Sequence, residues 1–208
     1  MKKFIPVLIV LFLSSSMPAQ VSIRGGMGIQ FQSMPSFRDH LNRFSDETAG
    51  EFSSAVTFSV EGGYMVTEKT ELALEVAYLF NSYNFNYSQF EVSYGIIMPS
   101  VIYSYVLRGM GYSFKFGGGA GIRLVNFRQK VSSEPDDYTS TGFGFLLRFD
   151  GNTSIGGNFY ANIGADLRYD FNGEPENSSG PVYNPIFSEN VNLNSFSAGI
   201  RIGISYQF

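Results

Sequence analysis

From Phe196 to Phe208 the chain alternates apolar and polar residues without a break. Phe196, Ala198, Ile200, Ile202, Ile204, Tyr206 and Phe208 share one parity; Ser197, Gly199, Arg201, Gly203, Ser205 and Gln207 share the other. Successive side chains of a strand point to opposite faces, so this run predicts a strand with one apolar and one polar side. Nothing follows to cover the apolar side, and the expectation is that lipid does, as on a membrane β-barrel.

Six further segments repeat the pattern: Val21 to Gln32, Ala55 to Val66, Glu71 to Asn81, Gly111 to Phe127, Thr139 to Asp150 and Asn158 to Phe171. Their apolar parities run through Ile23, Met27 and Ile29; Phe58 and Val60; Leu72, Leu74 and Val76; Phe114 and Phe116; Phe145 and Leu147; Ile163 and Leu167. None of these faces carries a charge, although 15% of the chain is charged. An Arg or Lys at the bilayer midplane costs about 2–4 kcal/mol, which accounts for the exclusion. A soluble sandwich would instead put its charged parity outside.

An eighth segment, Gln89 to Tyr105, changes phase. Tyr94 and Ile96 suggest one parity, Val101, Tyr103 and Tyr105 the other, and Pro99 lies between. Proline cannot donate to a ladder, so a bulge near Ile97 to Pro99 is expected to reverse the faces. Eight segments predict an all-β fold, an eight-stranded antiparallel up-and-down transmembrane β-barrel in which the first strand pairs with the last.

The connections alternate in length. Thr67 to Thr70, Val106 to Met110 and Gly151 to Gly157 are short; Ser33 to Ser54, Gln129 to Tyr138 and Asn172 to Asn194 are long and polar; Ser82 to Ser88 is intermediate. Barrels have short periplasmic turns and longer outer loops, which puts both termini on the periplasmic side and the long loops outside the cell. Tyr64, Tyr105, Tyr112, Phe149, Phe159, Tyr206 and Phe208 gather at the short-turn end, and Phe31, Phe80, Tyr169, Phe171 and Phe196 at the other, as two interfacial girdles.

The beginning fits export. Lys2 and Lys3 precede the apolar run Phe4 to Leu13 and the small residues Ser14 to Ala19, so residues 1–19 read as a signal peptide and 20–208 as one barrel domain. Ser16 is a competing cleavage position. The apolar run is too short to span a bilayer. With no cysteine there is no lipid-attachment residue and no disulfide framework. A net charge of -4 offers no basic footprint for nucleic acid.

With these features in place, the chain resembles the eight-stranded OmpA-like transmembrane domain and related small outer-membrane barrel proteins. The terminal Tyr206 and Phe208 resemble the aromatic signal read by barrel-insertion machinery, and Tyr94 to Tyr103 partly resembles the proline-bearing fourth strand of such barrels. The resemblance implies the bacterial outer membrane as location. It implies as partners outer-membrane lipid and lipopolysaccharide, periplasmic chaperones and the insertion machinery, with a monomeric barrel. It does not carry over the peptidoglycan-binding domain of larger relatives.

The inward parities carry Arg24, Glu61, Glu75, Lys115, Arg123, Arg148, Asp166, Arg168, Asp170 and Arg201. An eight-stranded barrel is just wide enough for side chains to fill it, and buried charges need partners. The expected arrangement is a plug of ion pairs: Arg24 with Glu61, Arg201 with Asp166, and Glu75 diagonal to Glu61. Arginine is expected to be tolerated better at inward Ser197 than at outward Ile163 or Ile200.

His40, the only histidine, lies beside Asp39 and near Ser36 and Ser45. Lipid A-modifying barrels use such residues, but a solvated loop histidine is the expectation. Phe37, Leu41 and Phe44 suggest a short helix over the barrel mouth. Gly25-Gly26 and Gly117 to Gly121 precede no helix and read as strand glycines, not phosphate loops. The acids Glu134, Asp136 and Asp137, and Glu174 and Glu176, read as solvated loop charge. No metal site, cofactor or catalytic residue is expected. The sequence thus points to a non-enzymatic barrel with a structural, envelope-integrity or surface-contact role and a closed polar lumen. The alternatives are a narrow transporter of small hydrophobic molecules and a lipid A-modifying enzyme.

Overall fold

A computed structural model describes residues 21–42, 53–85, 90–131, 134–185 and 187–208. The expected signal peptide, and Phe44 and Ser45, lie outside the described residues. Eight long strands make the wall: β1 (Val21–Ser33), β2 (Ser53–Thr67), β3 (Thr70–Phe85), β4 (Phe90–Gly109), β5 (Tyr112–Val131), β6 (Glu134–Gly156), β7 (Phe159–Phe171) and β12 (Ser195–Gln207). Between β7 and β12 the connection holds four two-residue strands, β8 (Glu176–Asn177), β9 (Gly180–Pro181), β10 (Tyr183–Asn184) and β11 (Glu189–Asn190).

The wall strands bond in the order β5-β4-β3-β2-β1-β12-β7-β6, and β6 pairs back with β5. The seam joins the first and last strands in antiparallel register from Ser22↔Gln207 to Ser33↔Phe196. Closure leaves no free sheet edge in the ring, and it is what lets strands cross a bilayer with every ladder partner supplied.

The expected faces hold. Leu74, Leu147, Ile163 and Ile200 are 66%, 65%, 67% and 62% exposed, whereas Glu75, Arg148, Asp166 and Ser197 are buried. Large apolar residues outside and charges inside invert the usual arrangement of a soluble domain.

Strand β4 departs from expectation. Its register with β3 is unbroken from Thr70↔Tyr105 to Phe85↔Phe90. Pairing with β5 lapses only opposite Met98 and Pro99 and resumes in the same register. Proline removes a donor there without adding a residue, so no bulge forms and the faces do not reverse. Tyr94 and Ile96 point into the barrel, and Val101, Tyr103 and Tyr105 point out. What changes at Pro99 is the chemistry of the lumen.

The hairpin expected as a long loop at Gln129 to Tyr138 is mostly ladder. Strands β5 and β6 pair out to Val131↔Glu134. Polar residues on both faces read as a loop, yet backbone pairing continues once the strands leave the apolar belt. Arg128 and Asp137, direct register partners, form an exposed ion pair at 2.6 Å. Asp137 is therefore not simply solvated loop charge. On the opposite side, β6 runs to Gly156 and turns through Gly157, whose positive φ of 55° suits glycine.

Candidate functional site: a lumen in two storeys

The lower storey is ionic. Glu61, Glu71, Glu75, Asp150, Asp166 and Asp170 face Arg24, Lys115, Arg123, Arg148, Arg168 and Arg201, six residues of each sign. Glu75 on β3 is the hub: its Oε2 lies 2.6 Å from Arg148 Nη2 and 3.3 Å from Arg201 Nη1, and its Oε1 3.1 Å from Arg168 Nη2. Asp150 takes Arg24 at 2.8 Å and Arg201 at 2.6 Å. Lys115 donates to Glu71 at 2.6 Å, and Arg123 pairs with Asp170 and donates to Ser100 at 3.2 Å.

Several expected pairs change. Arg24 does meet Glu61, its register partner, but at 3.5 Å, farther than Asp150. Glu75 is directly opposite Glu61 in the ladder, not diagonal. Arg148 resolves that like-charge pair by donating to both, at 2.8 Å and 2.6 Å. Arg201 does not pair with Asp166. Its register partner is Gly164, which also faces Asp150 on the next strand. A Cβ at Gly164 would strike the Asp150 carboxylate, so glycine opens the path from Arg201 to Asp150. Asp166 instead pairs with Arg168 at 3.2 Å and Arg148 at 3.6 Å and accepts from Gln30 at 2.6 Å. Gly144 does the same for the next pair: a Cβ there would meet the Asp170 carboxylate and the Arg123 guanidinium.

Sequence reasoning overlooked Glu71 and Asp150 as lumen residues. The signal was present, because Leu72 and Phe149 beside them carry the outward parity. Both acids fell at the expected ends of their strands and were passed over as edges.

The upper storey is apolar, which the expectation of a uniformly polar lumen did not include. Ala77 and Leu79 of β3, Phe90, Val92, Tyr94, Ile96 and Met98 of β4, and Val125 and Phe127 of β5 form one buried cluster. Met98 marks the boundary, its sulfur 3.9 Å from Arg168 Nη1. The expected short helix is α1 (Pro35–Leu41), started by a proline whose missing N–H costs nothing in a first turn. It drops Phe37 and Leu41 into the storey from above. Phe37 meets Tyr83, Tyr94 and Phe127 edge-on, with ring centroids 5.7, 5.7 and 5.8 Å away.

The β7–β12 connection covers the rest of the mouth with buried Val182, Val191 and Leu193. It is tied to α1 by the Asn192 backbone N–H donating to Ser36 Oγ at 3.1 Å. His40 is not solvated. It is 1% exposed, edge-on to Phe90, with Nε2 3.0 Å from Gln129 Oε1. Among the described residues, no group of three or more His, Cys, Asp or Glu side chains is arranged to hold a metal ion. Outside the wall, hydrogen bonds from Arg128 hold the Asp137 carboxyl below the usual carboxylate range.

The Gly25-Gly26 and Gly117 to Gly121 runs lie within β1 and β5, as strand glycines. Tyr206 and Phe208 meet edge-on at the short-turn end, centroids 4.9 Å apart.

No protein-family model matches the sequence, and no curated protein matches it. Solved structures do. Neisserial surface protein A is 14% identical over 90% of this chain and 97% of its own, with a TM-score of 0.53. Ail, the attachment invasion locus protein of Yersinia pestis, is 10% identical over 92% and 100%, with a TM-score of 0.57. The fold is the eight-stranded outer-membrane β-barrel. A major outer membrane protein from Thermus thermophilus shares this outer-membrane barrel fold at 13% identity over 92% and 100%, TM-score 0.57. At such identities the likeness is one of fold.

Proposed function

We propose that this chain is a non-enzymatic bacterial outer-membrane barrel that anchors an outer surface for envelope integrity or contact and holds no open pore. Both termini lie on the periplasmic side in this reading, and α1 and the long connections face outward into lipopolysaccharide. A monomer is inserted by periplasmic chaperones and the barrel-insertion machinery.

One observation carries the reading: the described inward side chains are buried along the lumen, in the ionic storey and the apolar one alike. Charges occupy the lower part, packed rings the upper, and α1 with the β7–β12 connection closes the mouth. The burial of His40 against Phe90 and Gln129 supports a structural role for it over acid–base chemistry on lipid A. The apolar upper storey favours a carrier of hydrophobic molecules only if it can empty, and Phe37 fills it. Neisserial surface protein A and the attachment invasion locus protein are, by their names, surface and attachment proteins.

Planar-bilayer recording tests the proposal. The unmodified protein should show no large steady conductance, and a steady open channel would overturn the closed-lumen reading in favour of transport.

A further inference from the structure

The outer wall carries a feature unconnected with the lumen. On the lipid-facing side of β5, β6, β7 and β12 an apolar groove of about 370 Å³ is lined by Phe145, Leu147, Leu167, Tyr169 and Phe196. Gly118 lies in its floor, where the missing side chain makes the hollow. Tyr169 and Phe196, register partners in the loop-side girdle, also line a second pocket of about 410 Å³. That pocket is mixed, with Pro35, Tyr169 and Phe196 beside polar side chains. Ser33, Ser36, Asp39, Glu189, Asn192 and Asn194 line it, drawn from β1, α1 and the returning connection.

The two hollows share two residues and change character at the girdle, so together they have the outline of one amphiphile. The chain segment of a lipid fits the groove below the interface, and its headgroup fits the pocket above. No basic side chain lines the upper pocket, and Arg38 nearby is turned to Asp39 at 3.1 Å. A free phosphate or sulfate would find only carboxylates and neutral dipoles there. Hydroxyls and amides both donate and accept, and carboxylates accept, which is the complement of a hydroxyl-rich headgroup.

We propose that this wall binds an uncharged glycosyl lipid, with one acyl chain over Gly118 and the sugar between α1 and the β7–β12 connection. The proposal rests on the bilayer-spanning reading above, and its test separates the two.

The chain has no tryptophan, so one introduced residue reports alone. Phe145→Trp keeps an aromatic ring in the groove's lining and makes it the reporter, and Phe58→Trp places a reference on β2, four strands away around the ring. Each full-length barrel is folded into phosphatidylcholine vesicles doped with lipid brominated in its acyl chains. The dopant is a diglycosyl diacylglycerol, a phosphatidylcholine or a phosphatidylethanolamine. At Phe145→Trp the glycosyl lipid should half-quench at a mole fraction roughly tenfold below phosphatidylcholine, equivalent to about 1.4 kcal/mol. At Phe58→Trp the three should act alike.

Adding Gly118→Phe should erase the preference while the barrel still folds, since a Cβ there meets Leu147 only at an ordinary 3.5 Å. Equal quenching by glycosyl lipid and phosphatidylcholine at Phe145→Trp would overturn the site. A preference for phosphatidylethanolamine that Glu189→Gln removes would overturn the sugar assignment. A Phe58→Trp signal untouched by any brominated lipid would instead defeat the spanning reading.

Discussion

Glu75 Oε2 and Arg148 Nη2 lie 2.6 Å apart at the middle of the barrel, their side chains 0% and 2% exposed, and the same carboxylate serves Arg168 and Arg201. Removing one member of a buried ionic set costs about 3–5 kcal/mol, because the partners remain buried and uncompensated. Glu75→Gln should therefore lower stability by that order, read as a fall in the urea midpoint of folding into vesicles. Glu61→Gln should cost less, since Glu61 meets Arg148 at 2.8 Å but Arg24 only at 3.5 Å. A larger loss for Glu61→Gln would mean that Glu75 is not the hub.

Depth in the bilayer sets the cost of a charge on the outer face. Ile200→Arg, at a position 62% exposed in the apolar belt, should cost about 2–4 kcal/mol, and Ser82→Arg, beyond Phe80 of the girdle, about 0–1 kcal/mol. Folding yields in vesicles rank the two. Ser197, expected from its parity to accept arginine, is 0% exposed. The lumen has no room for the side chain there, and Ser197→Arg should fold as poorly as Ile200→Arg.

Phe37 is 2% exposed and touches three rings. Replacing a buried phenylalanine with alanine removes about 3–5 kcal/mol of packing. In Phe37→Ala the loss should fall on α1, detected as faster amide exchange over Pro35–Leu41 with the wall ladders unchanged. Faster exchange in the wall without change in α1 would contradict the capping role.

Asp137 should titrate below an ordinary aspartate, because Arg128 favours its charged form. The pair's contribution is present at neutral pH and fades as pH falls through that lowered value. Carboxyl NMR should show the Asp137 midpoint rise in Arg128→Gln. An unchanged midpoint would show that the exposed pair is not formed in solution.

The wall was legible because its two faces meet different media. Lipid rejects charge at Leu74, Ile163 or Ile200 whatever their neighbours do, and parity alone displays this. The lumen was only half legible. Parity placed Arg201 and Asp166 inside, but partner choice depends on which register neighbour is small, and Gly164 redirects Arg201 to Asp150. Tyr94 and Ile96 were misplaced for a related reason. Beyond Met98 the inward parity of β4, Ile96, Tyr94, Val92 and Phe90, is the apolar one, and the outward parity runs Ile97, Gly95, Ser93 and Glu91, so the rule that apolar residues face lipid points the wrong way there.

Glu75 on β3, Asp150 on β6 and their arginines on β1, β6, β7 and β12 are drawn from most of the chain. Arg24 bonds a residue 126 positions away, and Arg201 reaches Glu75 over the same separation. Arg148 on β6 reaches Glu75 on β3, and Arg24 on β1 reaches Asp150 on β6, each three strands away around the ring, so these bonds need the sheet curved shut. The ion pairs thus fasten opposite parts of the wall to one another, and the dry centre and the closed ring are two aspects of one arrangement.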